Sequence, residues 1–210
     1  PKILPITESE PIKKAESPYG NTKQIGEEII KDLVNSSSNF NAISLRYFNP
    51  IGAHPSALIG ELPIGIPQNL VPYITQTAIG KRNELTVFGD NYLTRDGSCI
   101  RDYIHVVDLA KAHIKSLEKL IKESSKKYYD VFNIGTGKGT SVLELISCFE
   151  YVSGKKLNFK IGERRKGDVA KCFADVFKAN ELLNWKSKHS IEDALLSSWN
   201  WEKHIKNEKL

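Results

Sequence analysis

The first regular element of the sequence opens with Ser17-Pro18-Tyr19-Gly20-Asn21-Thr22-Lys23. The hydroxyl of Ser17 predicts a helix N-cap, and Pro18 suits the first helical turn because its missing N–H costs nothing there. Apolar residues at helical spacing follow this stretch. Because residues four apart share one face of a helix, we expect Tyr19 and Lys23 to point into the same space.

This Tyr-x-x-x-Lys spacing has a chemical use. A free phenol has a pKa of about 10, so few tyrosines are ionised near neutral pH. An adjacent ammonium and the positive end of a helix both lower the pKa of a phenol. We therefore interpret Tyr19 as a proton acceptor for an alcohol that is being oxidised, with Lys23 beside it and free to hold a ribose. The alternative is an exposed helix face with no catalytic role.

The rest of the chain alternates between helical and strand patterns. After the helix that starts at residue 17, further helices are predicted at 68–80, 107–121, 141–152, 176–183 and 191–204. Strands are predicted at 42–47, 85–88, 99–103, 131–134 and 157–161. We expect Asn49-Pro50 to end the first strand, Asp96-Gly97 to form a hairpin turn, and residues 50–68 to form a long functional loop. A helix followed by a buried strand is typical of the late units of a doubly wound sheet, so the predicted fold class is α/β.

Composition and charge exclude several classes of protein. The 210 residues are 40% hydrophobic and 26% charged, which is ordinary for a globular protein. The net charge of +5 does not predict a nucleic-acid surface, because the basic residues are scattered among 25 acidic ones and lack interleaved aromatics. No apolar run approaches the roughly 20 residues that cross a bilayer. A start at Pro1 without methionine predicts a fragment.

The three cysteines, Cys99, Cys148 and Cys172, match no metal-ligand or redox spacing. Reduced thiols in a cytoplasmic protein are therefore expected, and no metal site is predicted.

Two longer motifs accompany the Tyr-x-x-x-Lys pair, namely Arg46-Tyr47-Phe48-Asn49-Pro50-Ile51-Gly52-Ala53-His54-Pro55 and Arg101-Asp102-Tyr103-Ile104-His105-Val106. With them the chain resembles the extended short-chain dehydrogenase/reductase family, and within it the UDP-glucose (UDP-galactose) 4-epimerases, from the first residue to about Trp201. The family's glycine-rich cofactor loop and its catalytic serine or threonine have no counterpart here. The chain therefore resembles the C-terminal part of such an enzyme.

The resemblance implies two structural units. Residues 1–49 and 106–137 would form the remainder of a doubly wound NAD-binding (Rossmann) domain. Residues 50–105 and 138–210 would form a smaller α/β domain that binds a UDP-sugar.

The resemblance also implies which residues contact NAD. Tyr19 and Lys23 match the catalytic pair, which also contacts the cofactor. Tyr47 and Pro50 match positions beside the nicotinamide.

Other positions match the substrate site of the family. Asn49, Asn69 and Leu70 match residues that line the sugar and the diphosphate. Arg101 and Arg165 match residues that hold the diphosphate, and guanidinium groups suit phosphate because they form paired, directional hydrogen bonds. Without the resemblance, both arginines could equally be ordinary surface residues.

The resemblance also implies which residues contact the uridine and which residue limits the choice of sugar. Asp168 matches a residue on the uridine ribose, and Thr86, Val87 and Phe88 match the strand whose backbone meets the uracil. Cys172 falls where the 4-epimerases carry either a bulky tyrosine or a small residue, against the C2 side of the sugar. A small residue there predicts room for an N-acetyl group, and the alternative is a small side chain that merely packs.

Several other polar features are expected to be structural. The segment 135–139, Gly-Thr-Gly-Lys-Gly, follows a strand but matches no phosphate-loop pattern, so we interpret it as a tight crossover. Asp102 and Asp108 are interpreted as turn or cap residues rather than paired catalytic carboxylates. His54, His105 and His113 match no catalytic position and are also interpreted as structural.

The predicted function is the interconversion of UDP-galactose and UDP-glucose through a 4-keto intermediate with bound NAD, in galactose metabolism. The N-acetylated pair is a further predicted substrate, and the full-length protein is expected to be a homodimer. Another nucleotide-sugar dehydratase or decarboxylase of the same superfamily is one alternative, and a non-catalytic fragment that binds a UDP-sugar is another. Lacking the cofactor loop, this chain by itself is expected to be inactive.

Overall fold

Helices and short strands alternate along the chain in the computed structural model, which describes residues 3–15, 17–37, 39–123 and 126–208. The helices are α1 Pro18–Ser36, α2 Leu70–Ala78, α3 Val106–Lys122, α4 Val142–Ser153, α5 Phe177–Leu183 and α6 Ile191–Asn207. The strands are β1 Ala42–Tyr47, β2 Asn49–Ile51, β3 Leu85–Phe88, β4 Ile100–Arg101, β5 Tyr103–His105, β6 Tyr129–Ile134, β7 Thr140–Ser141, β8 Phe159–Gly162 and β9 Lys171–Cys172. This order confirms the predicted α/β class and every predicted helix.

The first helix begins as its sequence predicts. Ser17 is the N-cap of α1 and its Oγ accepts a hydrogen bond from the Gly20 N–H at 3.1 Å. Pro18 is the first helical residue. The same chemistry starts α4, where Ser141 and Glu144 form a reciprocal capping box.

Parallel pairing dominates the strands, as expected for a doubly wound sheet. β1 and β6 are parallel from Ala42 opposite Tyr129 to Tyr47 opposite Ile134. β2 pairs in parallel with β5, and β3 with β8. Since parallel neighbours cannot be joined by a tight turn, the long connection between β1 and β6 includes α3, and α3 packs against β1.

The chain changes sheet partner just after β1, where the sequence predicts only the end of a strand. The N–H of Phe48 donates to the Ile134 carbonyl at 3.0 Å, whereas the N–H of Asn49 donates to the Asp102 carbonyl at 2.9 Å. Asn49-Pro50 therefore does not end the extended chain but starts β2. This switch carries Asn49 and Pro50 away from β6 and beside β5.

The single strand predicted at 99–103 is wrong. β4 and β5 are separate strands on either side of Asp102, and they belong to different sheets. The break has a physical cause, because the fully buried Asp102 side chain accepts hydrogen bonds from loop backbone instead of continuing the strand.

The predicted hairpin at Asp96-Gly97 is also wrong, because β3 pairs with β8 and not with β4. Gly97 does adopt the left-handed backbone of a turn, with φ of +81°. The turn instead closes a local loop in which the Tyr92 N–H donates to the Gly97 carbonyl at 2.8 Å.

Two buried apolar clusters hold these elements together. One joins α2, β3, α4 and α6, with Ile74, Val87, Leu145, Phe149 and Leu195 among its members. The other joins β5, α3, β6 and α5, with Ile104, Ala112, Phe132, Ile134 and Ala179 among its members. In the ranges that the structure describes, no helix is long and apolar enough to cross a bilayer.

Candidate functional site

A cavity of about 500 Å³ opens beside β2, β3 and β4. Its lining includes these residues that the sequence predicts for the site: Asn49, Pro50, Asn69, Leu70, Thr86, Val87, Phe88, Arg101, Arg165 and Asp168. It also includes residues that sequence reasoning missed, among them Glu61, Tyr73, Cys99 and Tyr103. Residues distant in sequence therefore meet in one space that is large enough for a small organic ligand.

Arg101 both lines the cavity and ties down its wall. Its Nη1 donates to the carbonyl of Val169 at 2.7 Å, and its Nη2 lies 3.4 Å from Asp168 Oδ1. A guanidinium carries five N–H donors, so these contacts leave donors that a phosphate could use. Arg101 thus fixes the backbone next to Asp168 and keeps a positive charge at the cavity.

Arg165 is held differently from Arg101. Its guanidinium carbon lies 4.0 Å from the centre of the Phe88 ring. This guanidinium makes no hydrogen bond and no ion pair with the residues in the described ranges, whereas the Arg165 carbonyl accepts from the Asp168 N–H at 3.2 Å. A cation stacked on an aromatic face with all its donors free is well suited to bind an anion.

The amino end of α2 forms another part of the wall. Asn69 is the N-cap of this helix, but its side chain makes no capping bond. Instead its Nδ2 donates to Glu61 Oε1 at 2.7 Å. Asn69 and Leu70 both line the cavity, so the positive end of the helix dipole would stabilise an anion bound there.

Glu61 has no sequence signal that could have identified it. It lies in the long connection between β2 and α2, and its carbonyl accepts a hydrogen bond from Trp201 Nε1 at 2.9 Å. Gly60 beside it lies so close to the Trp201 ring that an added Cβ would come within 2.4 Å. The position of Glu61 therefore depends on α6, which lies far away in the sequence.

Tyr19 and Lys23 lie on one face of α1, as predicted. The Nζ of Lys23 is 5.1 Å from the centre of the Tyr19 ring, and Tyr19 is 71% exposed. Among the described residues, the lining of the cavity includes neither of these two side chains nor Tyr47, which lies exposed at the end of β1. Their contacts with a cofactor and a substrate stay predictions.

Cys172 lies in β9, directly opposite Arg101 of β4. It is partly buried and is not among the residues that line the cavity. Burial raises the pKa of its thiol. The thiol is therefore a small, weakly acidic group one strand away from Arg101, and its proposed effect on substrate choice stays a prediction.

The glycine-rich segment after β6 binds a carboxylate of the protein itself. Asp102 Oδ1 accepts from the Thr136 N–H at 2.8 Å and from the Thr136 hydroxyl at 2.6 Å. Oδ2 accepts from the N–H groups of Gly137 and Ala174, each at 3.1 Å. An added Cβ on Gly135 would lie 2.4 Å from Oδ2, so only glycine fits. These contacts confirm the predicted crossover and leave the amides of Thr136 and Gly137 unavailable to a phosphate.

A second buried aspartate is also structural. Asp108 Oδ2 accepts from the backbone N–H groups of Lys188 and His189 at 2.7 and 2.8 Å, and its Oδ1 lies 2.9 Å from His189 Nδ1. Burial alone would raise the pKa of Asp108, but the hydrogen bonds from His189 and Lys188 outweigh it and lower the pKa. Asp108 therefore stays ionised and fixes the segment before α6.

His105 caps α3 and supports the loop that follows β2. Its Nδ1 accepts from the Val107 N–H at 3.0 Å, and its Nε2 lies 3.3 Å from the hydroxyl of Ser197. Burial lowers the pKa of His105, and the nearby His189 lowers it further. The predicted structural role of His105 is confirmed. Across the described ranges, no group of three or more His, Cys, Asp or Glu side chains could hold a metal ion.

The chain is similar to one protein family and to several curated proteins along most of its length. A family model described as GDP-mannose 4,6 dehydratase matches residues 1–197. A UDP-glucose 4-epimerase of Bacillus subtilis is 49% identical over 202 residues, which are 96% of this chain and 58% of the relative. One of Drosophila melanogaster is 47% identical over 207 residues, which are 99% of this chain and 59% of the relative.

Solved structures of UDP-glucose 4-epimerases are also similar to this chain. A UDP-glucose 4-epimerase from Stenotrophomonas maltophila with bound NAD and formylated UDP-arabinopyranose has a TM-score of 0.95 and 44% identity over 99% of this chain and 61% of its own. One from Bifidobacterium longum in complex with NAD+ and UDP has a TM-score of 0.91 and 45% identity, with the same coverage. The chain thus spans about 60% of the length of these relatives.

Proposed function

We propose that this chain, which belongs to the family described as GDP-mannose 4,6 dehydratase and is 47–49% identical to two UDP-glucose 4-epimerases, forms the C-terminal part of an enzyme that interconverts UDP-galactose and UDP-glucose. The observation that carries this proposal is the cavity, in which Arg101, Arg165 and the amino end of α2 surround one space. A diphosphate fits a site with two guanidinium groups and a helix N-terminus. The neighbouring β3 backbone and Asp168 are then available for the uridine.

The residues present also fit NAD on its nicotinamide side. Tyr47 and Pro50 lie in the two parallel strands where the chain changes sheet partner, and such a point in a parallel sheet is typical of cofactor sites. Tyr19 and Lys23 lie on the exposed start of α1 and would hold the nicotinamide riboside. When bound, NAD would accept the hydride from C4 of the sugar and return it.

The residues of this chain would then divide the reaction between them. The Tyr19 hydroxyl group, as the phenolate, would take the proton of the sugar 4-hydroxyl, with Lys23 favouring the negative charge. Arg101 and Arg165 would keep the diphosphate in place while the 4-keto sugar turns about its link to it. The turn would present the opposite face of C4, so that the configuration there would be inverted with no net redox change. Reprotonation by Tyr19 completes the reaction.

We further propose that the site accepts the N-acetylated UDP-sugars. Cys172 has a small side chain in the strand next to Arg101, so it would leave space at C2 of the sugar. Turnover of UDP-N-acetylgalactosamine would support this proposal, and turnover of UDP-galactose without it would contradict it.

The division into units and the assembly are part of the same proposal. Residues 1–49 and 106–137 would complete a Rossmann domain, and residues 50–105 and 138–210 would form the nucleotide-sugar domain. The apolar side chains of Ile25, Ile29 and Leu33 are exposed on α1 and would bury against a second copy in a homodimer. The three free cysteines support a cytoplasmic location.

A coupled epimerase assay tests the proposal. We expect no activity from the chain by itself, because it holds no glycine-rich loop for the cofactor. Preceded by the upstream part of the Bacillus subtilis relative, and supplied with NAD, it should convert UDP-galactose into UDP-glucose. A folded extended protein that binds NAD but leaves UDP-galactose unchanged would refute the epimerase assignment and favour a dehydratase or decarboxylase.

A further inference from the structure

Two consecutive arginines stand beside the cavity, and they are bonded in opposite ways. The side chain of Arg165 makes no hydrogen bond and no ion pair with the described residues, and Arg165 lines the cavity. Arg164 does not line it, and two of its five N–H donors already bind Asn91. Its Nε donates to Asn91 Oδ1 at 2.6 Å, and its Nη2 donates to the Asn91 carbonyl.

Arg164 is also packed on an aromatic ring that cannot move easily. Its guanidinium carbon lies 4.2 Å from the centre of the Tyr92 ring, and Tyr92 is 7% exposed. Gly89 makes this packing possible, since an added Cβ would lie 2.6 Å from the Tyr92 ring and 2.8 Å from Arg164 Cγ. Arg164 is therefore fixed by a buried ring, a side-chain amide and a backbone carbonyl at once.

Arg164 begins a segment, residues 164–169, whose other end is fixed as well. Arg101 binds the carbonyl of Val169 and the carboxylate of Asp168. Residues 164–169 are thus attached at both ends, and Arg165 lies between the attachments with its side chain on Phe88. An otherwise exposed loop is in this way given one position relative to the cavity.

We infer that Arg164 is a positioning residue for Arg165, and that its contacts with Tyr92 and Asn91 present the Arg165 guanidinium to the diphosphate of a bound nucleotide. The inference rests on the proposed UDP-sugar site and adds the residue that orders it. Arg164 acts through Arg165 and does not touch the ligand. Ordering the loop before binding matters because each side chain that must be immobilised on binding weakens affinity.

The experiment measures the dissociation constant of UDP by titration calorimetry on the 210-residue chain. Arg165→Ala should weaken UDP binding by about ten-fold or more, because it removes charge-assisted hydrogen bonds to phosphate. Arg164→Ala should weaken it by about five-fold through lost ordering of the loop. Arg164→Lys, which keeps the positive charge but not the guanidinium fork, should weaken it nearly as much. Lys166→Ala is the matched control, because it removes one exposed positive charge from the same turn and should change binding less than two-fold.

The double variant Arg164→Ala/Arg165→Ala separates positioning from direct contact. If Arg164 acts only through Arg165, the double variant should bind UDP within about two-fold of Arg165→Ala. Additive losses, wild-type affinity of Arg164→Ala, or wild-type affinity of Arg164→Lys would each overturn the inference. If the unaltered chain bound no UDP, the proposed site would fall together with the inference. If UDP binds and Arg165→Ala weakens it while Arg164→Ala does not, the inference alone falls.

Discussion

The substitution Asp102→Asn tests how the buried carboxylate holds the loop after β6 together with the segment after β9. Asp102 accepts four hydrogen bonds, from the Thr136 N–H and hydroxyl on Oδ1 and from the Gly137 and Ala174 N–H groups on Oδ2. An asparagine offers one acceptor oxygen and turns an NH₂ group towards the other pair of donors. Two donors in the partly or fully buried backbone of Thr136, Gly137 and Ala174 are then left without a partner.

The expected loss of stability follows from those two donors. A buried donor without a partner costs about 1–3 kcal/mol, so two of them cost about 2–6 kcal/mol. Water cannot easily relieve the loss, because the Cα of Gly135 lies so near that an added Cβ would be 2.4 Å from Oδ2. We therefore expect Asp102→Asn to lower the free energy of unfolding by about 4 kcal/mol.

Urea denaturation followed by circular dichroism measures this change, read as a shift of the midpoint at constant slope. Asp90→Asn is the control, because it makes the same chemical change at an exposed site and should alter stability by about 0.5 kcal/mol or less. Thr136→Val should cost about 1.5–3 kcal/mol in the native background and less in Asp102→Asn, since both remove the same bond. A loss of unfolding free energy below about 1 kcal/mol for Asp102→Asn would show that the four hydrogen bonds to Asp102 do not hold this region together.

Three further substitutions test other parts of the structure. The pKa of His105 is lowered by burial and by its neighbours, so below about pH 6.5 the unfolded chain binds a proton that the folded chain does not. The free energy of unfolding should therefore fall between pH 7 and pH 5. His105→Asn keeps an acceptor for the cap of α3 and should flatten that fall, as measured by urea denaturation at several pH values. The exposed-site control His113→Gln should leave the fall unchanged, and an equally steep fall in His105→Asn would contradict the prediction. Ser17→Ala should lower the melting temperature by an amount equivalent to about 1 kcal/mol, because it removes the cap of α1, and an unchanged melting temperature would argue against that role. In the extended protein, Cys172→Tyr should abolish turnover of UDP-N-acetylgalactosamine and retain that of UDP-galactose, and equal turnover of both would exclude a gate at this position.

Local chemistry was enough to predict most elements of the fold. The Ser17 cap, the apolar spacing of α1 and the capping box of α4 depend on residues a few positions apart. The break at Asp102 was not predictable in this way, because its partners lie 34 to 72 residues further along the chain. A run of strand-forming residues therefore looked continuous where a buried carboxylate interrupts it.

Some residues of the site could be predicted from the sequence and others could not. Arg101 and Arg165 were identified from motifs that resemble those of a family, and the cavity brings them together. Glu61 and Arg164 gave no such signal, since their positions depend on Trp201 and Tyr92 respectively. The chemistry of a side chain is visible in the sequence, but the partner that fixes its position is visible only in the fold.

The most direct test of Tyr19 as the catalytic base compares the kcat of the unaltered protein with that of Tyr19→Phe. Both are made as the chain preceded by the upstream part of the Bacillus subtilis relative. We predict that loss of the phenol oxygen lowers kcat for UDP-galactose by about 10²-fold or more, because proton transfer from the 4-hydroxyl loses its acceptor. The KM should change little, since Tyr19 does not line the cavity where the nucleotide would bind. A kcat within about ten-fold of the unaltered protein would contradict the assignment of Tyr19 as the base.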